Sequence, residues 1–239
     1  MMLNTVLFDL DGTLLPLDQD VFIEKYFSML AMTMAGKGFD PRQVVKGVMY
    51  GTGAMLKNDG GATNCERFWQ AFSEFFGKDM SGYEKDFDQF YRTAFHQVKE
   101  VTYPDARAAE CVKLLKEKGY RVVVATSPVF PEIATHTRME WAGLNRDDFE
   151  LITTYDNCTF CKPNPAYYEE ILMKIGKTTD QCLMVGNDVG EDMCVTEMGM
   201  QAFWLDTWPL NRKDLPTEHL QRGGFEELLE MIRNLPAVK

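Results

Sequence analysis

The chain has 239 residues, with 25 lysines and arginines against 36 aspartates and glutamates, which gives a formal net charge of −11 at pH 7. Because nucleic-acid binding requires a cationic surface that displaces counterions from phosphates, this charge balance argues against a nucleic-acid partner. Hydrophobic residues make up 45% of the chain and charged residues 26%, which excludes large-scale disorder and predicts one sizeable core, as a single domain or a domain with an insertion.

The N-terminal residues Met1-Met2-Leu3-Asn4 carry no cationic stretch, long apolar segment or cleavage site typical of a secretion signal. No apolar run approaches the roughly 20 residues that a membrane-spanning helix needs. Six dispersed cysteines are more typical of reduced thiols than of a disulfide framework. We therefore expect a cytoplasmic protein without a membrane partner.

The first predicted element is a buried strand within residues 3–10. Its apolar run ends abruptly in the segment Asp9-Leu10-Asp11-Gly12-Thr13, where turn chemistry replaces the apolar pattern. Two carboxylates, those of Asp9 and Asp11, therefore follow directly from a strand.

Residues 16–99 differ from the rest of the chain because they are rich in aromatic residues and methionine and contain no strand pattern. We interpret them as an all-helical cap inserted after the first strand, with most of the aromatic side chains packing between helices. Trp69 and its aromatic neighbours are the better candidates for lining a substrate pocket. The predicted cap helices lie near residues 21–35, 41–55, 65–76 and 83–98.

From residue 100 onward, apolar strands alternate with helical patterns, which predicts βαβ units and a mostly parallel, doubly wound sheet. Residues 1–15 and 100–239 would then form the α/β core. The predicted strands are 121–125, 149–153, 181–185 and 201–205, and the predicted helices are 106–118, 166–175, 189–198 and 225–232.

Polar residues follow several of these strands at the edge where ligands bind in an open parallel sheet. Lys162 lies between a strand and a helix and should reach the same edge. The candidate site residues are Asp9, Asp11, Thr126, Ser127, Lys162, Asp188 and Asp192.

Four ionised carboxylates with one lysine would leave a charge of about −3 in a small volume, which is unfavourable at close range. Oxygen ligands without histidine or cysteine favour a hard cation, and Mg²⁺ binds through one or two carboxylates with water and substrate oxygens. The sequence therefore predicts a Mg²⁺ site among Asp9, Asp11, Asp188 and Asp192.

This arrangement predicts a phosphatase that acts on a small phosphorylated metabolite. Mg²⁺ and Lys162 would keep Asp9 ionised as the nucleophile. Asp11 could protonate the leaving alkoxide and later deprotonate the attacking water. The hydroxyl of Thr126 and the backbone N–H near Ser127 are expected to hold the phosphoryl oxygens.

Four motifs, in this order, resemble those of the haloacid dehalogenase superfamily, in its phosphatase branch with a cap inserted after the first strand. They are Asp9-Leu10-Asp11-Gly12-Thr13-Leu14, then Thr126, then Lys162 with Pro163-Asn164-Pro165 and Tyr168, and finally Gly186-Asn187-Asp188-Val189-Gly190-Glu191-Asp192.

The resemblance implies a Rossmann-like core with a helical cap, and it implies roles for the motif residues. Asp9 would be the nucleophile and a metal ligand, and Asp11 the general acid/base with its backbone oxygen on the metal. Thr126 and Lys162 would bind phosphate, and Asp188 would bind the metal. Asp192 would bind the metal directly or through water, or would orient Lys162.

Several alternatives stay open. A phosphomutase would use the same core, whereas a dehalogenase needs no metal and leaves Asp11 without a role. A phosphonatase would need a cap lysine, and nothing selects one among Lys37, Lys46 and Lys57. The alternative from another class is a non-catalytic binding or signalling protein of this fold. The substrate and the choice between monomer and homodimer are not given by the sequence.

The segment Cys158-Thr159-Phe160-Cys161 is a CxxC pattern. It has no second ligand pair for zinc and no thioredoxin context. We interpret these cysteines as ordinary thiols in the loop before Lys162.

Overall fold

A six-stranded sheet lies at the centre of the computed structural model, which describes residues 2–238. Its strands are β1 (Thr5–Phe8), β2 (Arg121–Val124), β3 (Leu151–Ile152), β4 (Cys182–Gly186), β5 (Gln201–Leu205) and β6 (Gln221–Gly223). Their order is β3-β2-β1-β4-β5-β6, and all neighbouring pairs are parallel. The predicted α/β fold with a doubly wound parallel sheet is confirmed.

Helices surround this sheet and also form the segment between β1 and β2. No helix within residues 2–238 is both long enough and apolar enough to cross a membrane. The α-helices are α1 (Gln19–Ala35), α2 (Pro41–Leu56), α3 (Asn64–Phe76), α4 (Glu84–Arg92), α5 (Ala106–Glu117), α6 (Glu132–Trp141), α7 (Pro165–Ile175) and α8 (Phe225–Asn234).

Both faces of the sheet are covered, which explains why β1 is buried at every position. Val6 and Phe8 belong to the same apolar cluster as Leu115 of α5 and Leu228 of α8. Leu7 points to the other face, into a second cluster that includes the buried residues of α7. The alternation of side chains along a strand thus gives the core three layers.

The register of the central strands places their carboxyl ends side by side. Phe8 at the end of β1 is aligned with Val124 of β2 and with Val185 of β4. The loops that follow these three strands therefore leave the sheet at one edge, as the sequence predicted.

Helices α1–α4, which we call the cap helices, are connected to the core by two adjacent chain segments. Leu17 and Thr102 form an antiparallel bridge, and the N–H of Tyr103 donates to the carbonyl of Pro16 at 2.8 Å. This pairing fixes where the helical segment leaves and rejoins the core, close to the predicted limits of 16 and 99. The division into cap and core domains stays a prediction.

Local side-chain chemistry explains where the predicted elements differ from the observed ones. The predicted helix 189–198 is wrong, since residues 189–192 form turns and only Met193–Met198 is a 3₁₀ helix. The carbonyl of Glu191 accepts the hydroxyl of Tyr168 at 2.7 Å, which competes with the backbone hydrogen bond that an α-helix would form there.

The predicted cap helix 83–98 is divided into α4 and the 3₁₀ helix Ala94–Val101, with Thr93 at φ −128° and ψ −89° between them. Helix α6 and strand β6 were not predicted. Strand β6 is short, with Gln221 and Arg222 exposed and Gly223 partly buried, so it lacks an apolar pattern to detect.

Candidate active site

Asp9 follows β1 directly, and its position is fixed by the sheet. Its backbone N–H donates to the carbonyl of Val185 in β4 at 2.9 Å, and the residue is 7% exposed. The chain then turns at Gly12, which has a φ of 81°. A Cβ at this position would lie 2.2 Å from Nδ2 of Asn187, so only glycine lets the loop after β1 pack against the loop after β4.

Asn187 links these two loops through hydrogen bonds. Its Oδ1 accepts a hydrogen bond from the hydroxyl of Thr13 at 3.1 Å, and its Nδ2 donates to the carbonyl of Trp208 at 2.7 Å. The sequence did not predict this positioning role, although the residue stands within the acidic motif.

Lys162 lies between two carboxylates. Its Nζ is 2.8 Å from Oδ1 of Asp9 and 2.6 Å from Oδ1 of Asp192, and its side chain is 1% exposed. Although burial alone would lower the pKa of Lys162, the carboxylates of Asp192 and Asp9 hold it well above its usual range. Lys162 is therefore a permanent buried cation beside Asp9.

Asp192 uses both carboxylate oxygens for contacts within the protein. Oδ1 accepts from Lys162, and Oδ2 accepts the backbone N–H of Asp188 at 2.9 Å. A Cβ at Gly186 would lie 2.2 Å from Oδ2 of Asp192, so the end of β4 leaves space for this carboxylate. These contacts favour the orienting role among those that the resemblance implied for Asp192.

Thr126 and Ser127 follow β2, which lies on the opposite side of β1 from β4. The carbonyl of Thr126 accepts hydrogen bonds from the hydroxyls of Thr153 at 2.7 Å and Tyr167 at 2.8 Å, which fixes the backbone of this loop. Thr126 is buried, and Ser127 is partly exposed. Both residues line the same cavity as Asp9.

Arg138 of α6 is a site residue that sequence reasoning missed. It is fully buried and forms an ion pair with Oδ2 of Asp11. Its Nε donates to the carbonyl of Ala134 at 3.2 Å, and its guanidinium lies 4.4 Å from the ring centre of Phe130. A single arginine in a helix carries no motif, so only the fold reveals this partner of Asp11.

The two carboxylate oxygens of Asp11 have different surroundings. Its Oδ2 pairs with Arg138, whereas its Oδ1 is buried without a hydrogen-bond partner among the described residues. Burial raises the pKa of Asp11 above its usual range, against the opposing effect of the Arg138 guanidinium. A raised pKa suits a carboxyl group that must carry a proton at one stage of a reaction.

These residues surround a cavity of 510 Å³, which we call the acidic cavity. Its lining contains many more carboxylates than basic groups, and Arg212, on its rim, is paired with Asp20 at 2.6 Å. A phosphate dianion would be repelled by this field unless a cation were also bound. The acidic residues of the lining are Asp9, Asp11, Asp20, Glu24, Asp188, Glu191 and Asp192.

Within residues 2–238, no three acidic, histidine or cysteine side chains are arranged as a ready-made metal site. One reason is that Asp188 Oδ1 accepts two backbone N–H groups, at 2.7 Å and 3.0 Å. Another is that both carboxylate oxygens of Asp192 already accept hydrogen bonds within the protein. The donor chemistry nevertheless suits Mg²⁺, which needs only one or two carboxylates beside water and substrate oxygens. The metal ligand set of Asp9, Asp11, Asp188 and Asp192 stays a prediction.

Glu191 provides a test of the electrostatics of the acidic cavity. Burial raises the pKa of Glu191 to about 7, opposed by Lys162 and reinforced by Asp188 and Asp9. The ordinary value is 4.5, so between these two pH values the folded protein binds more protons than the unfolded chain. The contribution of Glu191 to stability therefore falls as the pH rises through this window.

We expect Glu191→Gln to have nearly wild-type stability at pH 5 and to exceed wild type by about 1–3 kcal/mol at pH 8.5. The measurement is urea unfolding of both proteins at each pH in EDTA. The exposed Glu230→Gln is the matched control and should show no pH-dependent difference from wild type. A difference for Glu191→Gln that is the same at both pH values would contradict a raised pKa.

A family model of haloacid dehalogenase-like hydrolases matches residues 3–193. The chain belongs to this hydrolase family. The match extends from β1 to the loop after β4 and so includes every candidate site residue.

Several similar proteins align with nearly the whole chain. A glyceraldehyde 3-phosphate phosphatase of Methanothermobacter thermautotrophicus is 25% identical over 246 residues, which covers 94% of each chain. A pyrophosphatase PpaX of Anoxybacillus flavithermus is 26% identical over 241 residues, covering 100% of this chain and 97% of the relative. A crystal structure of a HAD phosphatase from Thermococcus onnurineus has a TM-score of 0.59 at 19% identity, covering 99% of this chain and 100% of the other, a likeness of fold alone.

These findings confirm three predictions: the family, the fold, and the activity class, which is that of a haloacid dehalogenase-like phosphohydrolase.

The cysteines of the CxxC pattern are both buried. Burial raises the pKa of Cys158 and of Cys161 to about 12, so neither thiol is a ready nucleophile at neutral pH. This environment favours the interpretation of the two residues as ordinary thiols of this hydrolase.

Proposed function

We propose that this hydrolase is a Mg²⁺-dependent phosphatase that cleaves small phosphate monoesters through a phosphoaspartyl intermediate on Asp9. The observation that carries the proposal is the buried Lys162, whose Nζ is 2.8 Å from Oδ1 of Asp9 at the ligand-binding edge of the sheet. A fixed cation beside the first carboxylate is what a carboxylate nucleophile for phosphate requires. The phosphatase names of both relatives support it.

In the first step, Oδ2 of Asp9 forms a bond to phosphorus while the bond from phosphorus to the leaving oxygen breaks on the opposite side. Lys162 occupies Oδ1 of Asp9, which leaves Oδ2 for the attack. Protonated Asp11 gives its proton to the leaving oxygen and becomes a carboxylate. Arg138, paired with Oδ2 of Asp11, is placed to stabilise the charge that Asp11 then carries.

In the second step, the oxygen of a water molecule forms a bond to phosphorus and the Asp11 carboxylate takes a proton from that water. The bond between phosphorus and Asp9 breaks, inorganic phosphate leaves, and both carboxyl groups return to their starting states. Lys162, which contacts Asp9, and Thr126 and Ser127, which line the same cavity as Asp9, can all donate hydrogen bonds and would hold the phosphoryl oxygens throughout.

Mg²⁺ held by Asp9, Asp188 and the backbone carbonyl of Asp11 would supply the positive charge that the acidic cavity lacks. We further assign residues 16–99 to a cap and residues 1–15 and 100–239 to the core. Residues Ile23 and Glu24 of the cap helices border the acidic cavity, so the cap helices are placed to exclude water from the phosphoryl group.

The direct test is phosphate release from a panel of phosphorylated metabolites in Mg²⁺ and in EDTA. We expect release of inorganic phosphate in Mg²⁺, loss of release in EDTA, and recovery when Mg²⁺ is returned in excess. A phosphomutase would instead give an isomeric phosphate ester with little inorganic phosphate. Phosphate release that is unaffected by EDTA would contradict the metal requirement.

A further inference from the structure

A second cavity, of 360 Å³, lies between the cap helices and the core loop 129–131. Its wall is mainly aromatic and aliphatic, with contributions from all four cap helices, and we call it the apolar cavity. Tyr26, Phe27, Phe68, Trp69, Phe87 and Tyr155 supply most of the rings. Its volume is within the range of small-molecule pockets, and apolar walls are usual for them.

The apolar cavity adjoins the acidic cavity. Ile23, Val129 and Phe130 line both cavities, and Phe130 also contacts Arg138, the partner of Asp11. A molecule with its phosphate beside Asp9 could therefore extend its remaining part past Phe130 into the apolar cavity. This continuity assigns the apolar cavity to the part of a substrate that leaves.

The charges of the apolar cavity restrict what can occupy it. Glu84 and Asp88 of α4 are the only charged residues in its lining, and neither forms an ion pair within residues 2–238. Because both are carboxylates, a leaving group with its own negative charge would be repelled. The cavity therefore disfavours a second phosphate or a carboxylate on the substrate.

From this geometry we infer that the apolar cavity binds the leaving group of the substrate, and that this leaving group is an apolar alcohol without negative charge. The inference rests on the proposed phosphatase function and narrows its substrate class. It separates this chain from relatives named for pyrophosphate or for glyceraldehyde 3-phosphate, whose substrates have small or charged leaving groups.

The first arm of the test is a series of n-alkyl phosphates from ethyl to hexyl, assayed for phosphate release with Mg²⁺. Burial of one methylene group raises kcat/KM by up to about fourfold, and we expect at least about a tenfold rise from ethyl to hexyl phosphate. A carboxylate at the far end of the hexyl chain should remove most of that rise. Brisk turnover with no dependence on chain length would overturn the inference while leaving the phosphatase proposal intact.

A cavity-filling variant makes the second arm. Gly53 lines the apolar cavity, and a Cβ at this position would meet no atom within 4 Å. Because glycine is a weak helix former, Gly53→Leu in α2 should not impair folding. We expect this variant to lower the hexyl-to-ethyl ratio of kcat/KM at least about fivefold.

The matched control is Gly82→Leu, which also lies between the first and last cap helices in sequence. A Cβ at Gly82 meets no atom within 4 Å either, but Gly82 is outside the lining of the apolar cavity. Gly82→Leu should keep the wild-type ratio. An equal fall of the ratio in both variants would contradict the assignment of the cavity.

Binding of 1-hexanol, measured by the change in Trp69 fluorescence with Trp69→Phe as the blank, forms the third arm and does not depend on catalysis. We expect saturable binding to wild type and to Gly82→Leu, weakened at least about fivefold in Gly53→Leu. If no phosphate ester is hydrolysed but hexanol binds in this pattern, the proposed function fails and the apolar binding site stands. Absence of saturable binding overturns the site itself.

Discussion

Replacement of Asp9 by asparagine should reduce phosphate release at least about 10⁴-fold, as expected when a nucleophile is removed. The amide keeps an oxygen that can accept from Lys162, which is 2.8 Å from Oδ1 in the native chain, so the change removes the attacking oxygen with little change of shape. The measurement is single-turnover phosphate release with Mg²⁺, together with circular dichroism to establish that the variant is folded.

Asp20→Asn is the matched control for this experiment. Asp20 also lines the acidic cavity, but its side chain is 79% exposed and pairs with Arg212 on the rim. The same chemical change there should leave turnover within about threefold, since exposed ion pairs contribute little. Equal losses in Asp9→Asn and Asp20→Asn would indicate that the net charge of the cavity matters rather than a nucleophile, and would contradict the phosphoaspartyl mechanism.

The edge of the sheet at which the site lies could be predicted because it depends on local patterns. An apolar run before Asp9 and another before Gly186 indicate strands, and parallel strands place the residues that follow them at one edge. In the structure, the alignment of Phe8 with Val124 and Val185 places the ends of the three strands side by side. This prediction did not require any knowledge of the cap.

The parts that could not be predicted depend on contacts between distant segments. Arg138 reaches Asp11 across 127 positions of the chain, and neither its helix nor its neighbours carry a sign of that ion pair. The helix predicted over 189–198 was wrong because the hydroxyl of Tyr168 in α7 donates to the Glu191 carbonyl, an acceptor that an α-helix would use for a backbone N–H. Periodicity describes apolar faces and does not register such competition by a side chain.

The apolar cavity illustrates the same limit at the level of specificity. The sequence marked Trp69 as a candidate pocket residue, and it does line the cavity. However, its position beside Tyr155 of the core and the opening past Phe130 result from the packing of four helices on two loops. Such packing is a tertiary property, so the substrate class could be inferred only from the structure.

Replacement of Lys162 by methionine should lower the free energy of unfolding by about 3–5 kcal/mol at pH 7.5, because two buried carboxylates would lose their common counterion. Asp9 is 7% exposed and Asp192 is 1% exposed, so water can replace the lysine around them only in part. Burial raises the pKa of Asp192, and Lys162 opposes that rise, so the pKa of Asp192 should rise further in the variant. The destabilisation should therefore shrink as the pH is lowered towards 5 and Asp192 takes up a proton.

A double variant separates this electrostatic cause from a simple loss of packing. Adding Asp192→Asn to Lys162→Met removes one of the two stranded charges and should recover more than half of the lost stability, as measured by urea unfolding in EDTA. The control is Lys113→Met, which makes the same substitution at a lysine that is 75% exposed and 3.9 Å from Glu117, and it should be nearly neutral. If Asp192→Asn deepens the loss caused by Lys162→Met, the two carboxylates do not depend on Lys162 for their charge, and the basis for an ionised Asp9 nucleophile is removed.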